Sequence, residues 1–357
     1  VLLDGVSFRV DTGDKVGLVG RNGAGKTTLT KVIAGDFAAT EGYAKVTGEV
    51  GYLPQDPRAA NPHESARTRI LDARGLGHLI EGMSKATTDM ASGDETVSAA
   101  AMKKYGRLND QFLAAGGYQA EAEAATIASH LNLPHTTLDQ ELGTLSGGQR
   151  RRIELARILF QNAPLMVLDE PTNHLDADSV VWLRNFLQGY PGGVIVISHD
   201  VGLVEETVNR VFYLDAMRST IDIYNMSWKH YLRQREADEE RRRKERSITE
   251  KKATALQLQA AKFGAKASKA ASAHQMVARA ERMLAGLDDV RGTERVAKLR
   301  FPDPAACGKT PLFGHNLSKS YGSLEIFTAV DLAIDRGSKV VIVGLNGAGK
   351  TTLLRIL

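Results

Sequence analysis

Gly20-Arg-Asn-Gly-Ala-Gly25 is followed at once by Lys26 and Thr27. That spacing suits phosphate. Where side chains are missing, successive backbone N–H groups can curl around phosphate oxygens that a Cβ would push away. A helix-like run over 29–34 adds its positive N-terminal end. Lys26 then reaches the β- and γ-phosphates, and the Thr27 hydroxyl suits Mg2+. Two carboxylates extend the set, because Leu165-Met-Val-Leu runs into Asp169 and Glu170. Asp169 fits the metal's water shell, and Glu170 fits the general base that orients an attacking water. A second apolar run, Val194-Ile-Val-Ile, is followed by Ser198 and His199, whose imidazole is a candidate contact for the γ-phosphate.

These side chains need elements to hold them. Residues 16–19 read as a buried strand feeding the loop, and 165–168 and 194–197 read as further buried strands. Strand, glycine-rich turn and helix in succession are the context that makes the loop pattern meaningful. A second Gly-Lys-Thr at 308–310 lacks that context. Five positions before Gly308 stands Asp303, and prolines crowd the segment, so it reads as an ordinary loop.

The loop occurs twice. Residues 20–29 return at 344–353 with nine of ten identities, and 1–33 align with 325–357 without a gap at 15 of 33 positions. Two copies of one domain are therefore joined in tandem. With Asn22, Gly23 and Thr28, the first loop forms one candidate site; Asn346, Gly347, Gly349, Lys350, Thr351 and Thr352 repeat it, Thr351 matching the metal-facing Thr27. A strand-like lead-in at 316–324 has no counterpart before Val1. The 357 residues are expected to be a piece of a protein of roughly 550 residues, holding most of the first copy and the opening of the second.

Composition narrows the function. Hydrophobic residues make up 43% and charged residues 25%, an ordinary globular balance. No apolar run approaches the roughly 18 residues of a membrane span, and no signal-like opening is present. One cysteine, Cys307, excludes a disulfide framework or a cysteine-ligated metal cluster. A cytoplasmic location is expected. The net charge of +4 is uneven: residues 226–300 carry 19 Lys+Arg against 10 Asp+Glu, a local +9 that leaves −5 elsewhere. From 251 to 280 there are six basic residues and no acidic one, which points to a polyanionic partner. Sequence texture predicts two long helices forming a hairpin there, one charge-dense and the other with an apolar stripe at Met276, Val277, Ala280, Met283, Leu284 and Leu287.

Leu145-Ser146-Gly147-Gly148-Gln149, ahead of a helical run over 150–160, brings these features together. With it the chain resembles ATP-binding cassette ATPases over nearly all of 1–214 and 312–357. The resemblance implies an α/β P-loop cassette with a helical subdomain, an α-helical linker, and the N-terminal part of a second cassette. The expected boundaries are 1–224, 225–305 and 306–357. It implies that Ser146 and Gly148 contact the γ-phosphate held by the opposite cassette, so that the two cassettes pair. Gln55, in Gly51-Tyr-Leu-Pro-Gln55, matches the glutamine that reaches Mg2+ and the water; Thr172-Asn-His-Leu-Asp176 matches the D-loop, and His199 the switch histidine. Tyr321 matches the aromatic that stacks on adenine. ATP and Mg2+ are the implied substrate and cofactor. Arg150, Arg151 and Arg152 read as a solvated helix face, with contact to RNA as the alternative. Residues 59–132 read as mostly helical, with turns at Gly93, Gly116 and Gly117.

Tandem cassettes joined by a charged hairpin, with no membrane span, resemble the ABC-F subfamily. That resemblance implies binding to the ribosome near the tRNA exit site, with the linker directed at P-site tRNA and the peptidyl-transferase centre. Its role would be translation regulation or protection of ribosomes against antibiotics. Lys262, Lys266, Lys269 and Arg279 are the candidate contacts to rRNA and tRNA; membrane and DNA are not expected partners. An acid-free tip sheds condensed counterions from phosphate, a favourable term at cellular salt. The alternative is a fused tandem ATPase subunit of an ABC transporter. These 357 residues alone are expected to hydrolyse ATP poorly, since each site lacks part of its machinery.

Overall fold

A computed structural model describes residues 3–55, 61–92, 94–264, 270–285, 308–344 and 347–357, with the side chains of 262–264 and 270–273 excepted. The chain divides into two units, Val1–Asn225 with Ala305–Leu357, and Met226–Pro304.

The first unit is built on β1 (Lys15–Gly20), α1 (Lys26–Ile33), β2 (Val50–Leu53), α2 (Ala66–Leu71), α3 (Gly77–Met90), α4 (Glu95–Ala114), α5 (Gly117–His130), α6 (His135–Leu138), α7 (Gly147–Gln161), β3 (Leu165–Asp169), α8 (Ala177–Gly189), β4 (Gly193–Ile197), α9 (Val201–Thr207), β5 (Arg210–Asp215) and β6 (Thr220–Tyr224). The sheet runs β2-β3-β4-β1-β5-β6, with every pair parallel except β5 and β6. The central strands are continuous apolar runs because helices cover both faces of a parallel sheet. Val16, Leu18, Val167, Ile195, Ile197, Phe212 and Leu214 form the core with Ala24, Ile33 and Tyr52.

This topology has one consequence for function. Parallel strands end on the same edge, and ligands of open α/β sheets bind outside those carboxyl ends. Gly20, Leu53, Asp169 and Ile197 are the last residues of β1, β2, β3 and β4. The register confirms the common edge, since Leu53 pairs with Leu168 and Asp169 with Ile197.

The helical stretch predicted for 59–132 is present as α2 to α5 where it is described. At Gly82 in α3 an added Cβ would lie 2.8 Å from Leu108 Cδ1 of α4, so those helices approach closely. Gly116 turns left-handed (φ 70°) ahead of α5, and a Cβ on Gly117 would collide with the Phe112 ring. Gly93 lies outside the described residues.

The second copy contributes β7 (Leu312–Tyr321), paired antiparallel with β8 (Leu324–Ile334), and further on α12 (Lys350–Ile356); α10 (Trp228–Gly264) and α11 (Ala270–Ala285) precede them, in the second unit. The loop reading of 308–310 fits its bonds: Lys309 O accepts from the Arg336 amide, and the Thr310 hydroxyl donates to Asp335. In the second unit α10 spans Trp228–Gly264, 37 residues, and α11 spans Ala270–Ala285, 16 residues. Ala253 and Ala260 of α10 and Ala280 of α11 are buried. On α10, Arg235–Glu239, Lys244–Glu240 and Arg246–Glu250 pair at i,i+4. Such exposed pairs add only tenths of a kcal/mol each, roughly 0.3–0.5, and keep the helix solvated.

Candidate functional site

The glycine-rich loop needs two left-handed residues, and Gly23 (φ 80°) and Gly25 (φ 92°) supply them where a Cβ would cost about 1–2 kcal/mol. Gly20 is required for another reason: a Cβ there would stand 2.8 Å from the Leu214 carbonyl oxygen on β5. Lys26 opens α1 and folds back over the loop, its Nζ donating to the carbonyls of Gly20 (2.8 Å) and Arg21 (3.0 Å). Burial lowers the pKa of this ammonium, while the charges of Asp169 and Glu170 oppose the shift.

Thr27 Oγ1 donates to Asp169 Oδ2 at 3.1 Å. The two residues are 142 positions apart, and the adjacency of β1 and β3 to β4 brings their ends together. Burial raises the Asp169 carboxyl above the ordinary aspartate range; the Thr27 hydroxyl, Arg151 and Lys26 counteract it. A hydroxyl beside a carboxylate is an all-oxygen donor set, the kind Mg2+ prefers.

Glu170 is buried and adopts φ 50°, a left-handed conformation that costs a non-glycine residue about 1–2 kcal/mol. Its peptide N–H donates to the Ile197 carbonyl at 2.8 Å. His199 Nε2 stands 3.4 Å from Glu170 Oε1, and the His199 amide donates to Oε2 at 3.3 Å. The histidine side chain itself is 82% exposed, free to meet a ligand at the strand edge. Gln55 is exposed two residues beyond the end of β2.

The signature forms the first turn of α7. Ser146 Oγ accepts from the Gln149 amide (3.2 Å), and Gln149 Oε1 accepts from the Ser146 amide (2.9 Å), a reciprocal capping box. Leu145 is buried and anchors the turn, while Ser146 and Gly147 are exposed. Gly148 faces the D-loop: a Cβ there would lie 3.6 Å from His174 Cβ. Asp176 caps α8 through Ser179 (2.9 Å) and accepts from Asn132 Nδ2 (2.7 Å). Burial would raise its carboxyl, but the bonds from Ser179 and Asn132 and the charge of Arg152 outweigh it and hold it below the usual range.

The arginines after the signature differ from the expected solvated face. Only Arg150 is exposed. Arg151 is 5% exposed and donates to the carbonyls of Pro54 and Asp169. Arg152 donates to the carbonyls of Leu131 (3.1 Å) and Asn132 (2.7 Å). Sequence reasoning missed Arg151 and Asn132. The signal for Arg151 was helical period, since it precedes the buried Leu155 by four residues and the buried Ile158 by seven.

In the second copy, Gly347 and Gly349 are again left-handed, and Lys350 Nζ donates to the Gly344 carbonyl at 2.8 Å, repeating the first loop. Thr351 and Thr352 follow on α12; Asn346 lies outside the described residues. Tyr321 ends β7, 55% exposed, with Lys319 Nζ 5.1 Å from its ring centre. A Cβ on Gly349 would touch Ile326 of β8, so this loop lies against the strand pair that carries Tyr321. Of the candidate RNA contacts, Arg279 is exposed on α11; Lys266 and Lys269 lie outside the described residues, as does the side chain of Lys262.

Comparison with known proteins gives these features a context. A family model described as ABC transporter matches residues 3–173 and 327–357, more than half of the chain, and a second, also described as ABC transporter, matches 214–301. The chain is 31% identical to YdiF of Bacillus subtilis strain 168 over its whole length, covering 56% of that protein. It is equally 31% identical to the energy-dependent translational throttle protein EttA of Escherichia coli K12, covering 63% of it, and 28% identical to YheS of the same organism, covering 54%. The chain thus spans between about half and two thirds of the length of these relatives. Family match, loop geometry and tandem repeat agree, and the chain belongs to the ATP-binding cassette family, in its ABC-F subfamily.

Proposed function

We propose that the intact protein is an ATPase whose ATP state controls its grip on the ribosome. The observation that carries the catalytic half is the convergence of Lys26, Thr27, Asp169, Glu170 and His199 on one edge of a parallel sheet. Lys26 would exchange its loop carbonyls for phosphate oxygens. Thr27 and Asp169 would hold Mg2+, with Gln55 reaching the same ion; when bound, the metal neutralises charge on the phosphates. Glu170 would take a proton from the attacking water, and His199 would orient the γ-phosphate. Ser146 and Gly148 would cap the nucleotide held by Lys350, Thr351 and the rest of the second loop, with Tyr321 on the adenine. In this reading the cassettes span 1–224 and 306–357, the linker spans 225–305, and the site of action is the cytoplasm.

The ribosomal half rests on the linker's charge and on the likeness to a relative named as a translational throttle. The linker would face P-site tRNA and the peptidyl-transferase centre, in translation regulation or antibiotic protection, through Lys262, Lys266, Lys269 and Arg279. Among the described residues no helix is long and apolar enough to cross a membrane. Co-sedimentation of the intact protein with ribosomes, with ATP and without nucleotide, tests this. ATP-dependent co-sedimentation is the expected result; co-purification with an integral membrane protein instead would overturn it.

A further inference from the structure

Arg151 is a buried cation whose guanidinium bonds to two backbone carbonyls. Both belong to peptide groups directly beside proposed site residues. Pro54 O is the carbonyl before Gln55, and Asp169 O is the carbonyl before Glu170. The peptide joining Asp169 to Glu170 is thereby held at both ends. Arg151 Nη2 donates to its C=O at 2.6 Å, and its N–H donates to Ile197 O at 2.8 Å. Fixing that plane fixes ψ of Asp169 and φ of Glu170, the torsion that sits in the left-handed region at 50°. An aspartyl–glutamyl pair in ordinary strand geometry would send successive side chains to opposite faces. The left-handed turn instead brings the Glu170 carboxylate to His199, while Asp169 stays on Thr27.

We propose that Arg151 is a positioning residue for hydrolysis: from the signature helix α7 it clamps the backbone ahead of Gln55 and ahead of Glu170, holding the general base in its strained conformation. An ammonium cannot replace it, since the planar fork spans two carbonyls at once whereas a lysine offers one compact point of charge. The clamp also joins α7 by direct hydrogen bonds to the ends of β2 and β3, so a displacement of the signature is felt at Glu170. The inference rests on Glu170 being the general base.

The test is steady-state ATP turnover of the intact protein for Arg151→Lys, Glu170→Gln and the double variant, with ATP affinity measured separately by nucleotide titration. Arg151→Lys is expected to lower kcat about tenfold or more with KM and ATP affinity within about twofold, and to have no further effect in the Glu170→Gln background. Unchanged kcat in Arg151→Lys, or a loss of equal size in both backgrounds, overturns the clamp. Unchanged turnover in Glu170→Gln alone overturns instead the assignment of the base. Should Arg151→Lys prove unstable, hydrogen exchange of the Glu170 amide in Arg151→Gln decides. Faster exchange there than in wild type, with the rest of β3 unchanged, supports the clamp, and equal exchange refutes it.

Discussion

Glu170 and His199 are joined twice: the imidazole Nε2 lies 3.4 Å from one carboxylate oxygen, and the His199 backbone amide donates to the other at 3.3 Å. The second bond does not depend on the histidine side chain, so the carboxylate keeps an anchor when the imidazole swings toward a ligand. Glu170→Gln keeps an acceptor oxygen but removes the base. It should lower turnover of the intact protein by about a hundredfold or more while ATP still binds, and should trap a ribosome-bound form. Turnover assays beside ATP-dependent co-sedimentation check this; wild-type turnover would remove Glu170 from the mechanism.

Thr27→Val is nearly isosteric and deletes the hydroxyl that donates to Asp169. The expected outcome is a shift of the Mg2+ dependence of ATP binding to higher metal concentration. Stability should fall by about 1–2 kcal/mol, because the buried Asp169 loses a donor. Nucleotide titrations across a Mg2+ series, beside thermal melts, separate the two effects.

Two glycines of one loop should fail for different reasons. Gly20→Ala forces a Cβ against the Leu214 backbone and should destabilise the cassette by about 1–3 kcal/mol even without ligand. Gly23→Ala meets nothing within 4 Å, and its cost is the left-handed torsion alone, about 1 kcal/mol. Denaturant unfolding of both variants should therefore rank Gly20→Ala as the more damaging.

Asp176 predicts a pH effect. Its folded carboxyl is held below the usual range, so its stabilisation is complete above the ordinary aspartate value of about 4 and is lost as pH falls further toward the depressed folded value. Asp176→Ala should cost about 1–2 kcal/mol at neutral pH through loss of the α8 cap. Asp176→Asn keeps a cap acceptor and should flatten the stability profile below pH about 4. Equal acid sensitivity in wild type and Asp176→Asn would rule this group out as the cause.

Replacing Lys262, Lys266 and Lys269 together by alanine should weaken RNA association and reduce the slope of log affinity against log salt by about 2. Filter binding to ribosomal RNA at four or five salt concentrations measures it, and an unaltered slope would remove these lysines from the interface.

The two copies of the loop separate what the sequence determined from what the tertiary structure decided. Nine identical residues in ten produce the same local geometry: left-handed glycines at 23 and 25 and at 347 and 349, and a lysine bonded to the carbonyl six residues before it at 2.8 Å in both. Those contacts close within a few residues, so local sequence suffices. The strand before each loop behaves otherwise. Lys15–Gly20 is laddered between β4 and β5, with Val16 and Leu18 buried. The matching residues 339–344 carry no strand, and Val340, Val341 and Val343 are exposed. A central strand depends on partners far away in the chain, and β1 finds its own near 194 and 210.

Arg151 shows the same division. Motif spacing marked Asp169, Glu170 and His199, because apolar runs ending in polar groups are visible in one dimension. It could not show that, of three consecutive arginines, Arg151 is the one that holds carbonyls at the ends of β2 and β3. Side-chain identity set which chemistry was available; only the meeting of α7 with the ends of β2 and β3 decided which arginine would serve it, since a buried guanidinium is tolerated only where acceptors already stand.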